Sequence, residues 1–102
     1  VISSKFHNVR TNGFASKREA NRAFELQLLE RAGQISDLKM QVPFEVIPAG
    51  PGERAAFYVA DFTYVQGGHQ VVEDVKGVKT PVYLLKRKLM LHVHGIRIQE
   101  VA

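Results

Sequence analysis

The chain of 102 residues contains no cysteine and no tryptophan. The lack of cysteine excludes disulfides and thiolate metal sites, and suits a protein that works inside the cell. No apolar run approaches the roughly 18 residues of a membrane-spanning helix. Nor does a charged segment lead into an apolar one at the start, as a signal peptide requires. The expected location is the cytoplasm, without a membrane partner. Internal repeats and low-complexity segments are also lacking, so the length allows one domain around one core. The last absence is local. Between Val75 and Gln99 there is no acidic residue, while Lys76, Lys79, Lys86, Arg87, Lys88 and Arg97 all fall there. Fourteen basic residues against ten acidic give a net charge of +4. Concentrated in this stretch, the excess reads either as a solvated face or as a surface that meets phosphates.

What is present reads as helices and strands from residue 16 onward. Residues 1–15 are polar and basic without periodicity and are expected to form an arm. In it Lys5, His7 and Arg10 could touch nucleic acid, though a solvated tail is the simpler account. Ser16 and Glu19 make a capping box. Ala20, Ala23, Phe24 and Leu28 follow at helical spacing with Leu26 beside them, and Gly33 supplies the stop, so a helix is expected over about Lys17 to Ala32. Glu19 projects onto the margin of the apolar stripe, where a plain capping role is the preferred reading. Leu38, Met40, Val42, Phe44 and Val46 alternate as a strand interrupted at Pro43. Pro48 to Gly52 is a turn cluster. Thr80 and Pro81 start a second helix, with Val82, Leu85, Leu89 and Val93 as its apolar stripe and Gly95 as its end. Lys86 falls within that stripe. Ile96, Ile98 and Val101 form a closing strand.

The informative stretch is Phe57 to Gly77. Two β-branched and aromatic runs flank Gly67-Gly68, which predicts a hairpin with a two-residue turn needing positive φ. Gln66 then faces His69, and the same register sets Asp61 opposite Asp74 on one face, with Lys76 beside them. Glu73 and Val75 point the other way. Opposed carboxylates repel unless a cation or a shared proton compensates, which points towards a divalent-metal site. Apolar residues on both faces of the hairpin predict a sheet covered on both sides by helices. His69 lies at the turn, and His92 and His94 are spaced for different helix faces, so none is expected to be a metal ligand.

Asp61, then Asp74-Val75-Lys76 across a hairpin, resembles the signature of the PD-(D/E)XK nucleases. The element order αβββαβ resembles their restriction-endonuclease-like α/β (α+β) core, a mixed sheet flanked by helices. More closely, Lys5-Phe6-His7-Asn8, Ser16-Lys17-Arg18-Glu19-Ala20, Tyr58-Val59-Ala60-Asp61-Phe62 and Val72-Glu73-Asp74-Val75-Lys76-Gly77 followed by Thr80-Pro81 resemble small phage-encoded proteins placed in that superfamily. One departure is Ala60, which stands where the superfamily's name has proline.

The resemblance implies a Mg²⁺-dependent DNA endonuclease, with Mn²⁺ able to substitute, acting on branched DNA such as Holliday junctions during phage recombination in the host cytoplasm. It implies Glu19, Asp61, Asp74 and Lys76 as catalytic residues. Glu19, Asp61, Asp74 and the Val75 carbonyl would be metal ligands. Lys17, Lys79, Thr80, Lys86, Arg87 and Lys88 are the expected DNA contacts. A two-fold substrate would suit a homodimer. The competing expectation is a basic DNA-binding accessory protein that keeps the fold and does not cut.

Overall fold

The computed structural model describes residues 16–102, so the expectations for the arm, including Lys5, His7 and Arg10, lie outside the described residues. Helix α1 (Lys17–Arg31) starts where Ser16 Oγ accepts from the Glu19 amide at 3.1 Å. Strands β1 (Ser36–Ile47), β2 (Ala56–Gln66) and β3 (His69–Val75) follow. Helix α2 (Pro81–Leu89) runs on into a wider π turn (Met90–His94), and β4 (Gln99–Val101) closes the order αβββαβ. The sheet is mixed, in the order β1-β2-β3-β4, antiparallel except for the β3–β4 pair. This is the α+β class that the sequence predicts.

The turn at Gly67 and Gly68 has φ of 60° and 80°, conformations glycine takes without strain, and Gln66 pairs with His69 as expected. Pro43 is tolerated because β1 is an edge strand, where a missing N–H costs no ladder bond. Thr80 caps α2 by accepting from the Tyr83 amide at 3.1 Å, and Gly95 ends the helical run at φ 68°.

Two apolar clusters lie on opposite sides of β3. Val71 belongs with Ala23, Leu26, Ile35, Phe62 and Tyr64 under α1, and Val72 with Val46, Tyr58, Ala60, Tyr83 and Met90 under α2. Both faces are therefore covered, but not through simple alternation. Phe62 and Tyr64 serve the first cluster while Tyr58 and Ala60, at the same parity, serve the second. Met40 and Phe44 on β1 divide in the same way. The β1–β2 ribbon thus rotates between these positions, and the pairing of β2 with β3 stops there, at Phe62–Glu73.

Both expected helix stripes need correction. In α1 the buried face is Glu19, Ala23 and Leu26, while Phe24 is 61% exposed. In α2 Tyr83 and, beyond it, Met90 are buried, while Val82 and Leu85 are exposed. Polar partners on the sheet decide this. Arg22 Nε and Nη2 donate to Glu73 at 2.6 and 3.0 Å, which fastens α1 to β3. Burial, and then its own bond to Glu73, pushes the Tyr64 hydroxyl up to about 12.

Candidate active site

Asp61 is carried to the point where β2 leaves β3, and Asp74 is the next residue of β3 beyond the last β2–β3 pair. The two carboxyls line one cavity, in the side-by-side placement that the hairpin register predicts. Asp61 Oδ2 accepts from the Val75 amide at 2.8 Å, and Asp74 Oδ2 from the Tyr58 hydroxyl at 2.6 Å. Burial of Asp74, reinforced by the Asp61 carboxyl, pushes its pKa up to about 7. Burial and the bond to Asp74 also raise that of Tyr58. Both carboxyls open on a cavity of about 280 Å³ lined also by Tyr58, Lys76, Tyr83 and Lys86.

Lys76 is placed as the sequence predicts. Its Nζ lies 3.8 Å from Asp74 Oδ1 and 4.2 Å from the centre of the Tyr83 ring, a cation–π contact. The Tyr83 hydroxyl donates to Glu100 Oε2 at 2.6 Å, and Glu100 is the cross-strand neighbour of Asp74 on β4. That bond, with those of Arg87 and Lys79, holds the Glu100 carboxyl down at about 2. The basic run is thus partly neutralised from just beyond its end. Arg87 and Lys79 pair with Glu100 at 3.0 and 3.2 Å, whereas Lys86 faces the carboxylate cavity and Lys88 lines another on the far flank of α2. Thr80 is engaged as the α2 cap and Lys17 is exposed at the start of α1.

Glu19 is buried, and its Oε2 accepts from Gln41 Nε2 at 2.8 Å. It does not line the cavity of Asp61 and Asp74, so the structure does not bring the three carboxylates together there. Among the described residues no three His, Asp or Glu side chains gather as a metal-holding group. The pair alone still suits a hard cation. Two oxygen-donor side chains share one cavity, and burial, reinforced by the neighbouring carboxyl, disfavours the second negative charge unless a cation offsets it. Arg18 was not singled out by the sequence, yet its Nη1 would stand 2.9 Å from a Cβ at Gly77, so the start of α1 reaches the residue after Lys76. Tyr58, Tyr83 and Glu100 were missed as well, since none carries a local signal. His94 Nε2 bonds the Glu45 carbonyl at 2.8 Å and its ring edges Phe44, a packing role.

A family model described as Protein of unknown function (DUF1064) matches residues 3–100. The chain belongs to the DUF1064 family. No curated protein and no solved structure matches it. The match to DUF1064 takes in both hairpin strands, both helices and the whole carboxylate cavity. Among the described residues of this DUF1064 chain, no helix is long and apolar enough to cross a membrane.

The raised Asp74 pKa carries a sign that can be measured. The folded state holds that proton more tightly than the unfolded chain, so the stabilisation is complete below the ordinary 3.8 and lost as pH rises through about 7. Glu100 acts oppositely, contributing above its ordinary 4.5 and losing that as pH falls through about 2. Between about 4.5 and 7 Glu100 stays ionised while Asp74 loses its proton. In chelator, stability should therefore fall over this range by at most about 1.4 kcal/mol per pH unit. Calorimetric melts of wild type and Asp74→Asn check it, since the variant should lose the Asp74 share of the slope.

Proposed function

We propose that this chain is a divalent-metal-dependent DNA endonuclease of PD-(D/E)XK type. One observation carries the reading: Asp61 and Asp74 line the same open cavity, with the Lys76 ammonium 3.8 Å from Asp74. Opposed carboxylates cost stability in a purely structural or phosphate-binding face, and a bound cation would repay that cost.

Asp61 and Asp74, with the Val75 carbonyl, would hold Mg²⁺ or Mn²⁺. When bound, the ion would neutralise charge on the scissile phosphate and the leaving oxygen. Lys76 would orient the attacking water, favour its loss of a proton through the ammonium's positive charge and stabilise the negative charge that grows on the phosphate. The Tyr83 ring keeps the ammonium on the carboxylate side, and Tyr58 fixes the Asp74 carboxyl. Lys86, on the rim, would meet a neighbouring phosphate. Branched DNA in phage recombination is the proposed substrate, and a homodimer would match its symmetry.

Incubation with supercoiled, linear and four-way-junction DNA, with and without Mg²⁺, tests the activity. Mn²⁺ titration should show binding that Asp74→Asn weakens strongly, and unchanged binding would remove the metal. Tight DNA binding without any cutting in Mg²⁺ or Mn²⁺ would make the chain a DNA-binding accessory protein instead. DNA affinity should fall steeply with salt. Replacing Lys86 and Lys88 should reduce the slope of log K against log salt by about 0.9 for each phosphate that is no longer neutralised. Arg87, tied to Glu100, should contribute less.

A further inference from the structure

Gln41 is the outlier of the fold. It stands within β1 at φ 54°, a conformation that a non-glycine residue rarely adopts. Asp37 shares the conformation at φ 55°, but there β1 changes register between Ser36 and Lys39, as at a bulge. Around Gln41 the register is unbroken: Met40 pairs with Phe62 and Val42 with Ala60. The position left between those pairs, opposite Gln41, is Asp61. It is also where the ribbon rotates from the α1 cluster to the α2 cluster. The Gln41 side chain does not enter the cavity beside Asp61. It turns to α1, where Nε2 donates to the buried Glu19 at 2.8 Å.

We infer that Gln41, held by Glu19, is a positioning residue for Asp61. The bond from α1 keeps the β1 backbone in its left-handed conformation. That rotation of the ribbon delivers the Asp61 carboxylate to the Val75 amide and to Asp74, where a regular strand would continue the ladder past it. Glu19 then acts on Asp61 through Gln41. The inference rests on the nuclease reading for its purpose, but its geometry can be read without metal or cleavage.

The probe is the Val75 amide, which donates to Asp61 Oδ2 at 2.8 Å. In ¹⁵N NMR spectra of the metal-free protein its proton should be shifted downfield and protected from exchange, and Asp61→Asn should change both. Gln41→Gly relieves the backbone conformation and removes the clamp, so a purely structural role for Gln41 would leave the fold intact and Val75 unmoved. The positioning role demands that Val75 lose its downfield shift and protection, and that Mn²⁺ affinity drop about 10- to 100-fold. The exchange Glu19→Gln with Gln41→Glu restores the bond with donor and acceptor swapped. It should recover both readouts, and it serves as the deciding variant should Gln41→Gly fail to fold. A wild-type Val75 signal in folded Gln41→Gly, or an exchange variant that recovers neither readout, would overturn the inference. Should the wild type bind no Mn²⁺, the metal reading falls, while the Val75 amide still decides the positioning role.

Discussion

Lys76→Ala should lower the rate of DNA cleavage by about 10²–10³-fold, the effect of removing one donor that acts on charge developing in a transition state. DNA affinity should hardly change, because only one of several cations that meet phosphates is removed. The separation follows from where Lys76 sits. Its side chain is only partly accessible, with Nζ held between the Tyr83 ring at 4.2 Å and Asp74 Oδ1 at 3.8 Å, so it serves the cavity more than the outer surface. The carboxylates keep their other partners in the variant, Asp61 the Val75 amide and Asp74 the Tyr58 hydroxyl. Mn²⁺ binding should therefore persist. Junction binding in Ca²⁺, whose looser coordination supports binding without placing the water, and cleavage in Mg²⁺ measure the two effects apart. A variant that cuts at the wild-type rate would remove Lys76 from the chemistry.

The hairpin that carries this site was legible because its information is local. Two glycines permit two positive φ angles, that turn fixes Gln66 against His69, and the period of two carries the register to Asp61 and Asp74. Helix ends were legible for the same reason, through Ser16, Thr80 and Gly95. The buried helix faces were not. Apolar periodicity assigned Phe24 and Leu28 to the inside of α1, yet they are 61% and 46% exposed. Glu19 and Arg22 face the sheet in their place, because Gln41 on β1 and Glu73 on β3 receive them. In α2, Tyr83 turns inward with its hydroxyl satisfied by Glu100, and Val82 and Leu85 stay outside. A polar side chain is cheap to bury only beside its partner, and partners on other strands leave no trace in a local pattern.

The same reasoning explains why the carboxylate pair was readable and its surroundings were not. Asp61 and Asp74 are linked by one turn. Lys76 follows Asp74 by two residues and was readable for the same reason, whereas the bond of Tyr58 to Asp74 and the contact of Tyr83 with Lys76 depend on the rotation of β2 and on the placement of α2, and Glu19 meets Gln41 on β1. Gln41 reads in sequence as an ordinary polar residue on the outer face of an alternating strand. Nothing beside it announces a positive φ, which glycine or asparagine would have done.

Arg22→Met should destabilise the fold by about 3–5 kcal/mol, although Arg22 itself is partly exposed. Glu73 has no solvent exposure, and its two oxygens are satisfied by Arg22 at 2.6 and 3.0 Å and by the Tyr64 hydroxyl at 2.7 Å. Removing the guanidinium leaves a buried carboxylate with one neutral donor, and a charge cannot reach water from there. For a domain of this size the melting temperature should fall on the order of 20 °C. Glu73→Gln should cost less, because Arg22 is partly exposed, keeps Glu25 at 3.1 Å and can turn to solvent. Combining the two changes should recover much of the stability, since a neutral amide bonded by Tyr64 beside a methionine has no stranded charge. Denaturant titration of the two single variants and the double variant gives the coupling energy directly. Glu73 and Asp74 are adjacent on β3 and face opposite sides, so the first fastens α1 while the second faces the cavity. Loosening α1 should therefore also weaken Mn²⁺ binding at a temperature where the variant is still folded, because Arg18 and the Glu19–Gln41 bond move with the helix. Equal Mn²⁺ affinity in folded Arg22→Met would mean that the hairpin alone sets the carboxylate pair.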